Sequence, residues 1–146
     1  MRQPFQVLVI PFRHTSAGFE FAVLKRSDEN YWQFVAGGGE NSETIIEAAR
    51  RETQEEIGIT GKLLKLDSVS AIPKNCFAGS ELWDKNIDKI PEHCFAIDVT
   101  NSKITLSSEH THIQWLSYGK ACALLKWNSN RKALQELNTK LKKDQC

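Results

Sequence analysis

A mixed α+β architecture, with helices covering a mainly antiparallel or mixed sheet, follows from three features of the chain. Apolar, strand-like segments with polar breaks fill the stretch up to Val35. One bounded amphipathic helix follows a glycine run, and helical patterning returns after Ser117. Taken in order, residues 5–12 (FQVLVIPF) are a continuous apolar run with β-branched members, which reads as a buried strand, with Pro11 marking its end or an edge. Residues 13–18 form a turn, and residues 19–26 (FEFAVLKR) pair back as a hairpin. Residues 32–35 are a short strand delivering the chain into Gly37, Gly38 and Gly39, a backbone able to take positive φ and to approach a ligand closely.

The helix that follows has Asn41 or Ser42 as N-cap, Glu43 at its positive end and Gly58 where a left-handed C-terminal cap belongs. Ile46, Ala49, Thr53 and Ile57 make its core stripe. Residues 62–72 read as a long strand, and residues 73–91 as a polar, turn-rich mobile loop holding Trp83. Strands are expected at residues 93–99 and 112–116, joined by a hairpin-like connection over 100–108. Helices are expected at 118–126 and 129–143, broken by Trp127 and Asn128.

At 146 residues the chain reads as one domain, large enough to bury a core without disulfide or metal staples. Its 19 basic and 18 acidic residues sum to a formal +1, so no global field recruits nucleic acid or an anionic membrane, and any anionic ligand is bound locally. Cys76, Cys94, Cys122 and Cys146 are widely spaced without a CxxC pair, which favours reduced thiols in a cytoplasmic protein over a zinc site. The apolar run at residues 5–12 is too short to span a bilayer and lacks a signal peptide's flanks.

Chemistry concentrates on Glu52, Glu55 and Glu56. Their i, i+3, i+4 spacing places all three on one helix face, where like charges repel by a few tenths of a kcal/mol per pair, about a turn apart. Within the helix Glu55 alone has a cation at helical spacing, in Arg51, so Glu52 and Glu56 call for a divalent cation such as Mg2+ or Mn2+. Elsewhere, Lys25 and Arg26 at a strand end are candidate phosphate contacts, against plain surface cations. Phe77 and Trp83 are candidate ring-stacking groups, and Asn130 with Arg131 a candidate ring reader, against a plain N-cap.

The spacing Gly37, Glu43, then Arg51-Glu52-Thr53-Gln54-Glu55-Glu56-Ile57-Gly58-Ile59 resembles the signature of the Nudix hydrolase family, with Thr53 where a larger aliphatic residue is usual. The resemblance implies an α/β/α sandwich with a mixed sheet and cleavage of a diphosphate linkage. By the same resemblance Glu52 and Glu56 hold Mg2+ or Mn2+ with Glu55 near or in the shell, the carbonyl of Ala36 joins the ligands, and Arg51 braces the glutamates through Glu55 and Glu47. Glu109 then stands as a base or extra ligand with Glu55 as its rival, and His110, Gly37, Gly38 and Arg26 face the substrate. Trp32-Gln33 and the segments around 107–117 and 127–137 are similar to the bacterial dihydroneopterin triphosphate and dATP pyrophosphohydrolase group. The implied substrate is a nucleotide or pterin triphosphate, split to pyrophosphate and a monophosphate. The alternatives are 8-oxo-dGTP, a dinucleoside polyphosphate or ADP-ribose, and a non-catalytic nucleotide sensor. A plain acidic helix docking a basic protein leaves the glycine run and Arg51 unexplained. Monomer and homodimer both remain open.

Overall fold

The computed structural model describes residues 2–144; Met1, Gln145 and Cys146, the last of the four expected thiols, lie outside them. The order is β1 (Arg2–Thr15), β2 (Gly18–Arg26), β3 (Trp32–Gln33), β4 (Val35–Glu40), α1 (Ile45–Ile57), β5 (Leu63–Pro73), β6 (Lys89–Asp98), β7 (His110–Leu116), α2 (Tyr118–Leu124) and α3 (Asn128–Asp144). One mixed sheet runs β3-β2-β1-β6-β5, with β4 added to β1 and β7 to β2. The β1–β6 pairing is parallel and the others are antiparallel.

The unbroken apolar run in β1 is explained by burial on both faces. Val7 and Val9 pack with Ala48, Ala49 and Ile57 of α1, while Leu8 and Ile10 pack with Ala133, Leu134 and Leu137 of α3. Val7 and Leu8 are both fully buried, each contributing about 1.5–3 kcal/mol of transfer free energy. The layers are therefore helix, sheet, helix, as the fold class requires. Pro11 does not end the strand. It lies between the register with β4, which reaches Val9, and that with β2, which begins at Phe12. At that exchange of neighbours a missing N–H is tolerated, although Pro11 itself sits inside the ladder with β6.

Three other expectations are corrected. The glycine run is a strand, β4, paired antiparallel to β1, and among the described residues positive-φ glycines occur only at 18, 58 and 79. What demands glycine is space, since a Cβ would overlap the Glu52 carboxyl at Gly37, the Arg2 guanidinium at Gly38 and the Phe5 ring at Gly39. The N-cap of α1 is Thr44, whose hydroxyl accepts from the Glu47 N–H while the Glu47 carboxylate accepts from the Thr44 N–H. Asn41 instead turns the chain ahead of the helix at φ 55°, whereas Gly58 is the left-handed C-cap at φ 69°. Residues 73–91 carry two 3-10 turns and the start of β6, and the buried Trp83 indole donates to the Arg2 carbonyl at 2.9 Å.

Candidate active site

Helix α1 has two inward rows. Ala49, Thr53 and Ile57 face the core, with the Thr53 hydroxyl donating back to the Ala49 carbonyl at 2.7 Å, so the residue's polar group is satisfied inside its own helix. Beside that row Glu52 and Glu56 are buried, Glu56 to 1% exposure. Glu55 is exposed, so the three carboxylates do not share one sheltered face. The geometry of a 3.6-residue turn sets residues 55 and 56 about 100° apart, and the edge of the buried arc falls between them.

Arg51 organises the outer edge. Its Nε and Nη2 donate to the two oxygens of Glu43 at 2.8 and 3.0 Å, a forked pair, and Nη2 also donates to the Gly38 carbonyl at 2.8 Å. Its Nη1 donates to Glu52 at 2.9 Å and to Glu55 at 3.2 Å. Glu52 thus has a cation after all, one residue away in sequence. Glu47, the other expected partner of Arg51, is occupied with the helix cap. Glu43, placed by the sequence at the helix's positive end, is Arg51's main anchor.

On the inner side, the buried His110 at the start of β7 shares a hydrogen bond between its Nε2 and Glu56 Oε1 at 2.8 Å. Burial holds the His110 pKa down, which favours the neutral ring. Glu56, Glu109 and His110 each present a ligating atom within 4.8 Å of the others. Glu109, just ahead of β7, is exposed, and its backbone carbonyl accepts from the Ser27 N–H at 2.8 Å, which ties the segment to the end of β2. Burial pushes Glu52 up to about 9, with the Glu56 carboxylate next in effect. Burial likewise pushes Glu56 up to about 8. Two carboxylates in so little water repel each other, and without a cation they retain protons at neutral pH.

That arrangement fits a divalent metal. Glu56 Oε2 is buried without a hydrogen-bond partner, the donors are hard oxygens with one imidazole nearby, and Gly37 leaves the Glu52 carboxyl room against the backbone of β4.

A cavity of about 270 Å³ is lined by Arg26, Tyr31, Ala36, Gly37, Phe77 and Trp127 among others, and Gly37 in turn abuts the Glu52 carboxyl of α1. Of the substrate-facing candidates, Arg26 and Gly37 line this space together with Ala36, the expected metal-ligating carbonyl, while Gly38 is buried and His110 is taken up by Glu56. Arg26 is forked onto Asp28, with Nε to Oδ1 at 2.7 Å. Trp83 is anchored away from the ring position that Phe77 keeps. Asn130 lines the cavity and its Oδ1 accepts from the Phe34 N–H at 3.0 Å, whereas Arg131 donates to the Leu125 carbonyl at 2.6 Å. Sequence reasoning missed Glu92, buried to 5% and also lining the cavity. It was readable as the acid in the inward alternation Ile90, Glu92, Cys94, Ala96, had the strand been started before His93.

Residues 4–137 match the family profile described as the NUDIX domain. Dihydroneopterin triphosphate diphosphatase of Escherichia coli (strain K12) is 26% identical over 139 residues, 92% of each chain. The asymmetrical bis(5'-nucleosyl)-tetraphosphatase of Sus scrofa is 30% identical over 122 residues, covering 83% of this chain and 80% of that one. A crystal structure of a candidate NUDIX hydrolase from Listeria monocytogenes str. 4b F2365 superposes with a TM-score of 0.88 at 48% identity, over 97% of both chains.

Proposed function

Because the chain belongs to the NUDIX family and is a pyrophosphohydrolase, we propose that it splits a nucleoside triphosphate or a pterin triphosphate to pyrophosphate and the monophosphate, with Mg2+ or Mn2+ as cofactor. The observation that carries the reading is the buried Glu52–Glu56 pair, with Glu56 Oε2 unpartnered, beside a cavity sized for one ring system. Glu52, Glu56 and the Ala36 carbonyl hold the ion, with Glu55 at the open edge. When bound, the ion neutralises non-bridging phosphate oxygens and acidifies water.

The chain's own groups do the rest. Arg51 fixes Glu52 from outside through Oε1. His110 holds Glu56 in one rotamer through the Nε2–Oε1 hydrogen bond. Glu109, exposed and with its carboxylate within 4.8 Å of the Glu56 and His110 ligating atoms, takes the proton from the attacking water. Arg26, in the cavity lining, draws phosphate charge toward it. The tetraphosphatase relative favours a second reading, a dinucleoside polyphosphate, in which one nucleoside occupies the cavity and the other extends into solvent.

The test is hydrolysis, with Mg2+ or Mn2+, of dATP, dihydroneopterin triphosphate, 8-oxo-dGTP, diadenosine tetraphosphate and ADP-ribose. Pyrophosphate and a monophosphate from a triphosphate, lost by about 100-fold or more in Glu56→Gln, is the expected result. No product from any of the five, or full activity in Glu56→Gln, overturns the reading.

A further inference from the structure

Glu92 is a buried acid that the hydrolytic chemistry does not use. It stands in the middle of the sheet, Cα partner of Gln6 in β1 and of Ser70 in β5, and its side chain continues the row of Cys94 and Ala96 that faces α3. Below it the row is apolar core. At Glu92 the row reaches the cavity, whose lining includes Glu92, and its Oε1 is buried without a hydrogen-bond partner. A carboxylate so withdrawn costs free energy unless something donates to it.

Three features around it select the donor. The first turn of the 17-residue helix α3, with Ser129, lies against the same cavity, and a helix N-terminus favours the ionised acid. Burial raises the Glu92 pKa and the Ser129 hydroxyl opposes the rise. Phe77, Tyr31 and Trp127 supply aromatic wall, the last two packed edge to face at 5.4 Å. The occupant is thus a flat ring with a donor edge.

We propose that Glu92 reads the ring of the substrate by accepting two adjacent N–H groups, the cyclic N–H and exocyclic amine of a 2-amino-4-oxo ring such as a pterin or guanine. A carboxylate has two parallel acceptors and matches that edge as it matches a guanidinium fork. Adenine offers an acceptor beside a donor and leaves one carboxylate oxygen facing a lone pair. The assignment relies on the hydrolase reading only for where the phosphates point, and ring binding tests it separately.

The experiment is an NMR titration of the metal-free protein with neopterin, guanosine, inosine and adenosine, none of which carries phosphate. Guanosine and neopterin are expected to bind at least about tenfold more tightly than inosine, which lacks the 2-amino group, and than adenosine. In Glu92→Gln guanosine falls to within about threefold of inosine, because one acceptor becomes a donor. Inosine or adenosine binding as tightly as guanosine to the wild-type protein overturns the proposal. So does a Glu92→Gln variant that keeps the preference, or the absence of any shift at the Trp127 indole with every nucleoside at millimolar concentration. The inosine comparison needs no variant to fold. Ring selectivity without triphosphate cleavage would sink the hydrolase reading and leave this one, whereas cleavage without ring selectivity would do the opposite.

Discussion

Gly37→Ala places a methyl group in the space that Glu52 now fills. The backbone accepts it, because Gly37 is paired extended strand without positive φ. A Cβ built there lies 2.5 Å from Glu52 Oε2 and nearer still to the carboxyl carbon, whereas ordinary contact begins at 3.4 Å. The carboxylate must therefore retreat by about 1 Å, and misplacement on that scale at a reacting centre costs on the order of 100-fold in rate. The atoms that move are the far end of a flexible side chain, so the fold is spared and melting shifts by less than about 3 °C. The assay is kcat/KM with Mg2+ on whichever triphosphate the wild-type protein cleaves, alongside a thermal melt. Activity within about threefold of wild type would refute the claim that the glycine exists to seat Glu52. A drop in melting temperature beyond about 10 °C would move its role from the site to the core.

Other perturbations have equally definite outcomes. Both buried carboxyl groups have folded pKa values raised above the ordinary 4.5, so the metal-free protein is favoured below about pH 4.5 and loses that contribution as pH rises through 8 to 9. Melting temperatures without metal should fall over that window, Mg2+ should restore them more at pH 9 than at pH 6, and a metal effect independent of pH would contradict the burial argument. Glu109→Gln should lower kcat by about 100-fold with metal affinity unchanged if it is the base, and calorimetry showing lost metal binding would make it a ligand. Thr44→Ala removes the hydroxyl of the α1 cap and should cost about 1 kcal/mol, read as a denaturation midpoint shift at constant slope.

How legible all this was depends on what kind of signal each residue carries. Val7 and Val9, alternating with Leu8 and Ile10, announced a doubly covered strand because the pattern is local, and Gly58 announced the end of α1 for the same reason. The fixed run from Arg51 to Ile59 located the acidic helix for a chemical reason, since buried carboxylates at i and i+4 need a cation. Contacts between distant segments left weaker traces. Glu43 sits eight residues before Arg51 and meets it only because the chain turns at Asn41, and His110 reaches Glu56 only through the pairing of β7 with β2. The glycines misled in their mechanism, since an extended glycine that avoids a neighbouring side chain and one that adopts positive φ spell the same letter. Glu92 was invisible because a single acid in a strand shows its face only once the strand's start is known.

Gln6 stands opposite Gly38 on one side of β1 and opposite Glu92 on the other. Neighbouring strands lie about 4.8 Å apart, so the backbone that seats Glu52 and the backbone that carries Glu92 are held roughly 10 Å from each other across a single residue. A sheet of this kind behaves as a fixed-gauge caliper. Neither jaw slides without turning every side chain of its strand to the wrong face. Whatever side chains either jaw carries, the reach between them is set by the hydrogen-bonded width of β1.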